Sequence, residues 1–136
     1  MELSPLIYLS ENIHNLMDDE KIIGHYLFDD CGEGLGRVEG LYVEHFTYYP
    51  RYLVYSQGGF LSTRGKIILV PNEIYKVIDM GKVKILKSLQ WLKDIHSPAS
   101  AESLTRGDEE LILDYYNLPP YWPQETNEKT DQDSAA

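Results

Sequence analysis

Apolar residues in this chain come in short extended runs broken by glycine, aspartate and proline, a period closer to strands than to helices. Ile22, Ile23, Tyr26 and Phe28 mark a first strand that runs into DDCGEG (residues 29–34), a glycine- and aspartate-rich reversal. Residues 35–44 return as a second strand. There Val38, Leu41 and Val43 depart from strict alternation, so a bulge near Glu39 and Gly40 is expected to bring all three to one face. An aromatic turn (residues 45–50) containing Phe46, Tyr48 and Tyr49 leads to a third strand at 51–56. A fourth follows at 67–70, a helical turn at 71–74, a fifth strand at 75–78, a turn at Asp79-Met80-Gly81 and a last strand at 82–86. About six short strands with no helix between them predict a mainly β domain, an antiparallel barrel or sandwich.

The pivot of this pattern is GGFLSTRGKIILVP, residues 58–71. Gly58 and Gly59 open backbone angles that a side chain forbids, and Phe60 and Leu61 cap the loop. Arg64, Gly65 and Lys66 feed an apolar strand that Pro71, lacking an N–H, ends.

The flanks read differently. Residues 1–9 are a strand-like lead, and Ser10 is placed as the N-cap of a short helix through Leu16, with Ile13 and Leu16 three apart. After the strands, Ser88 caps a helix carrying Leu89, Trp91, Leu92 and Ile95, ended by Ser97-Pro98. Residues 108–117 form a second short helix with Leu111, Ile112 and Tyr115 on one side, closed by Pro119-Pro120. The chain thus divides into a lead and short helix (1–19), a β domain (20–96), a helical extension (97–123) and a polar tail (124–136) expected to be disordered.

Composition narrows the uses of such a domain. At 136 residues the chain can bury one core, and its net charge of −10 argues against phosphate recognition and anionic membranes. Nucleic acid is therefore an unfavoured partner. The single cysteine excludes an internal disulfide and a thiolate metal cage, which fits a reducing cytoplasm. The N-terminal stretch lacks a basic n-region, and no apolar run approaches the length of a membrane span, so membrane insertion is not expected.

Candidate chemistry is sparse. His14, His25, His45 and His96 show no metal-ligand spacing, and Asp29, Asp30 and Glu33 lack the alternate-position ligands of a calcium loop. Cys31 has acidic neighbours that raise a thiol pKa, and Gly32, Gly34 and Gly36 join two strands, with no helix N-terminus to hold an anion. No catalytic, cofactor-binding or metal-binding residue is assigned, and no cofactor is expected. The residues that stand out are apolar or basic side chains suited to a protein interface: Phe60, Leu61 and Arg64 at the loop tip, and Tyr115, Tyr116, Tyr121 and Trp122 in the extension.

With the strands placed, the chain resembles the PRC-barrel family, the small β-barrel of the photosynthetic reaction-centre H subunit and of the C-terminal domain of the ribosome maturation factor. The resemblance rests on Ile23-Gly24 with Phe28-Asp29 and Gly32, on Leu35-Gly36-Arg37-Val38-Glu39 with Val43, and on Arg51-Tyr52-Leu53-Val54. Above all it rests on Gly58-Gly59-Phe60-Leu61 with Lys66 and Val70-Pro71. It covers residues 20–95, and DYYNLPPYW (114–122) is similar to an extension of stand-alone bacterial members. The family implies a PRC-type barrel with one or two short C-terminal helices, used as a docking or regulatory module and not as an enzyme. The expected partners are another protein and a second copy of the chain in a homodimer. An accessory role in RNA metabolism or ribosome maturation, and a small-ligand or metal-binding barrel, are the rival readings. This chain lacks the reaction-centre subunit's transmembrane helix and the maturation factor's separate N-terminal domain, so neither function transfers as it stands.

Overall fold

The structure, a computed structural model, describes residues 2–57, 65–79 and 81–123, with Asp79 described by its backbone alone. The pivot glycines Gly58 and Gly59, the loop-tip residues Phe60, Leu61 and Arg64, and the tail 124–136 lie outside the described residues.

Eight strands form two four-stranded sheets. In chain order they are β1 (Ile7–Leu9), β2 (Tyr26–Phe28), β3 (Gly34–Arg37), β4 (Gly40–Val43), β5 (Pro50–Gln57), β6 (Lys66–Pro71), β7 (Tyr75–Asp79) and β8 (Lys82–Ile85). The first sheet runs β1-β4-β5-β6 and the second β3-β2-β8-β7. Two helices follow, α1 (Leu89–Leu92) and α2 (Arg106–Tyr115). One core joins the sheets, with Leu41, Leu53, Ile68 and Val70 from the first against Leu27, Val83 and Ile85 from the second.

The mainly β reading with two short helices holds, with eight strands in place of about six, while further details are corrected. The expected second strand, 35–44, is two strands in different sheets. Where a bulge was expected, residues 38 and 39 carry the chain across: the Val38 amide bonds the His25 carbonyl and the Glu39 amide bonds the Val54 carbonyl. Val38 is buried at that crossing, which explains its broken alternation with Leu41 and Val43. The pairing is not wholly antiparallel, because β2 and β8 run parallel, Tyr26 opposite Lys82 and Phe28 opposite Lys84.

No helix follows Ser10. Asn12 instead reaches across to Ile23, accepting from its amide at 3.1 Å and donating to its carbonyl at 3.2 Å, which holds the segment open in place of a helical turn. Strand β2 is also shorter than residues 22–28, since Ile22 is buried in a turn closed by the His25 amide and Gly24 has a φ of 94°. Helix α1 begins as expected, with the Ser88 hydroxyl accepting from the Trp91 amide, but ends at Leu92. Pro71 does end β6, and a 3-10 turn follows at Asn72–Ile74.

Candidate interaction surfaces

The two sheets differ in what covers them. Strand β4 and the centres of β5 and β6 are buried at nearly every position, the signature of a sheet covered on both faces. Strands β2 and β8 alternate between buried and open positions, as a sheet does with one face to water.

The cover over the first sheet is the C-terminal extension. Thr105 and Asp108 cap α2 reciprocally: the Thr105 hydroxyl accepts from the Asp108 amide and the Asp108 carboxylate from the Thr105 amide, both at 3.0 Å. His96 bonds the same carboxylate at 2.6 Å. Burial alone would raise the Asp108 pKa; the bonds from His96 and Thr105 outweigh it and hold the carboxyl below its ordinary value. At the other end Asn117 adopts a left-handed φ of 62°, and the Asn117 and Leu118 amides return to the carbonyls of Asp114 and Leu113. The helix buries Glu109, Ile112, Leu113 and, just beyond it, Tyr116. The apolar side predicted through Leu111, Ile112 and Tyr115 is thus rotated, and Leu111 is exposed. The signal that marks the true face is the spacing 109, 112, 113, 116, obscured because its first member is a carboxylate.

That carboxylate organises the contact. Glu109 is fully buried and accepts from the Tyr52 hydroxyl at 2.8 Å and the Tyr121 hydroxyl at 2.6 Å, with Arg106 at 3.5 Å. Burial, then Glu109, raise both tyrosine pKa values well above the ordinary one, so the hydroxyls stay protonated as donors. Arg51 lies over the Tyr121 ring at 4.4 Å and the Tyr49 ring at 4.8 Å while pairing with Glu44. Tyr42, beside Tyr52 in register, donates to the Ala101 carbonyl.

The predicted aromatic surface is therefore largely spent within the chain. Tyr116 is buried and donates to the Leu69 carbonyl at 2.9 Å; Tyr115 donates to the Trp91 carbonyl at 2.7 Å and packs at a tilt against its ring. Tyr121 and Trp122 are half-buried, with Arg106 at 4.0 Å over the Trp122 ring, and they line a shallow hollow of about 330 Å³ with Pro5 and Leu6. Sequence reasoning missed Glu109, Arg106 and Tyr52, the groups that hold this segment down.

The outer face of the second sheet carries Arg37, Tyr26, Phe28, Lys76, Lys82 and Lys84, brought side by side by the pairing of β3, β2, β8 and β7. Arg37 lies over the Tyr26 ring at 4.4 Å and donates to its hydroxyl at 2.7 Å. Away from both sheets, Phe46 is 88% exposed at a turn where it and Tyr48 hold positive φ, a strained conformation for aromatic residues.

The loop between β2 and β3 is a structural knot. Asp29 is buried, and its carboxylate accepts from the amides of Cys31, Glu33 and Leu89, tying the loop to the start of α1. Burial would raise its pKa, and these backbone donors bring it below the ordinary value. Asp29, Asp30 and Cys31 lie close enough to suggest an ion site, but both Asp29 oxygens are committed to amides. The hydrogen bond from Cys31 to Asp30, and then the charge of that carboxylate, raise the thiol pKa.

A family model for the PRC-barrel domain matches residues 14–87, which include every strand but β1. The chain belongs to the PRC-barrel family. The match ends before α1, so neither α1 nor α2 falls within it. A search of curated proteins returns no match. Among the described residues no helix of this PRC-barrel chain is long and apolar enough to cross a membrane.

Proposed function

We propose that this PRC-barrel chain is a non-enzymatic docking module that binds another protein. The observation that carries the reading is the asymmetry of its sheets: its own C-terminal segment occupies the outer face of one, while the other presents cations, two aromatic rings and an aliphatic side chain to solvent. A surface of this composition, with satisfied buried groups elsewhere, suits recognition better than bond-making. The loop tip with Phe60, Leu61 and Arg64, the hollow beside Tyr121 and Trp122, and the exposed Phe46 are further anchors for a partner or for a second copy in a homodimer.

The test is capture with the tagged chain in lysate, combined with light scattering on the purified protein. The proposal expects a reproducible protein partner or a defined homo-oligomer. A strict monomer that captures nothing overturns it.

A further inference from the structure

The geometry points to an acidic, partly apolar extended segment of a partner protein as the occupant of the second sheet's outer face, and this inference rests on the docking reading above. The chain has 12 lysine and arginine residues against 22 acidic ones. Four of the cations, Arg37, Lys76, Lys82 and Lys84, share this one face. Lys76 and Lys84 are opposite one another in register, and Lys84 in turn is opposite Phe28. Among the described side chains no carboxylate is within ion-pair distance of Lys76, Lys82 or Lys84, in contrast to Arg51 and Arg106 on the covered sheet. Asp79 is opposite Lys82 in register, with its side chain outside the described residues, while Lys76 and Lys84 are like charges side by side, a repulsion that carboxylates arriving from a partner relieve.

The face also provides an apolar seat. Phe28, Ile78 and the stems of Lys82 and Lys84 line a hollow of about 410 Å³, and Ile78, at the irregularity between β7 and β8, is 50% exposed. Asp29 and Asp30 close one end of that hollow, so the carboxylates of an arriving segment belong towards β7 and β8, with an apolar side chain over Phe28. A phosphate backbone fits less well: four cations on a chain of net charge −10 give a weak counterion-release term, and Tyr26 is already covered by Arg37.

The experiment is amide-resolved NMR of the full chain titrated with a heptapeptide alternating glutamate and leucine. A peptide with lysine in place of glutamate and a ten-nucleotide uridylate serve as comparisons. The inference expects shifts centred on β2, β7 and β8 with the acidic peptide alone. It also expects binding weakened roughly tenfold or more by Lys82→Glu with Lys84→Glu, and weakened by salt. Exposed lysines leave the melting temperature unchanged, which keeps the variant interpretable. Shifts elsewhere, silence to millimolar peptide, or tighter lysine-dependent binding of the uridylate each overturn it. Should the double variant still capture its partner at full yield, the docking reading stands and the acidic-segment inference falls.

Discussion

The first sheet and the second each have four strands and share a core, yet one is closed over by its own chain and the other is not. The difference lies in what each outer face offers. Tyr42, Tyr52 and Leu69 present hydroxyls and a carbonyl that Ala101, Glu109 and Tyr116 satisfy, so apolar area and polar groups are buried together without orphaned atoms. Lys76, Lys82 and Lys84 present charges that form no ion pair with any described side chain. Burying them against another part of the molecule would incur a desolvation penalty. Stability thus draws on the covered face, and the proposed recognition on the open one.

The largest expected effect comes from removing the cover. A chain ending at residue 97 loses Ile112, Leu113 and Tyr116, buried residues worth about 1.5–3 kcal/mol each, so urea melts should show a stability loss of more than ~4 kcal/mol, with dye binding to the bared sheet. Tyr52→Phe removes one donor from the buried Glu109 and should cost about 1.5–3 kcal/mol in the same melts. Gly40→Ala places a Cβ within 2.6 Å of the Tyr8 ring where that ring crosses β4, for an expected loss of about 1–3 kcal/mol by calorimetry.

Acid should act gradually. The carboxyls of Asp29 and Asp108 have folded pKa values below their ordinary 3.8, so their contribution is complete above the unfolded value and disappears as pH falls through the folded ones. The stability curve should accordingly be flat with respect to these groups near neutrality and decline below about pH 4. Asp29→Asn and Asp108→Asn should each flatten that decline. The smallest effect belongs to the open face, where Lys82→Glu should change stability by within ~0.5 kcal/mol. A large loss there would show that the two sheets are not divided as described.

The fold was legible where local chemistry acts alone. The turn residues around Gly32, the Ser88 cap and the stop at Pro71 depend on nearest neighbours, and each stands where its residues indicate. The split of residues 35–44 was visible only as a misfit, since a strand that changes sheets and a strand with a bulge break alternation in the same way. The helix expected after Ser10 failed because Asn12 has a partner eleven residues away that no local rule contains. Of the candidate surface, the aromatic run in the extension was found but not its direction. Tyr116 turns inward to the Leu69 carbonyl and Tyr121 to Glu109, a buried carboxylate that the sequence pattern did not single out. The lysines of the open face drew no attention because their clustering arises from strands 75–79 and 82–85 pairing beside β2, which spacing along the chain does not reveal.

The division between a closed and an open sheet is tested most directly by a photo-crosslinking phenylalanine analogue placed at Tyr26 or at Leu111. These positions are matched in exposure, 50% and 55%, and lie on the open sheet and on the outer side of the cover. The account predicts partner crosslinks from position 26 and none from 111. Crosslinks from 111 with silence at 26 would contradict it.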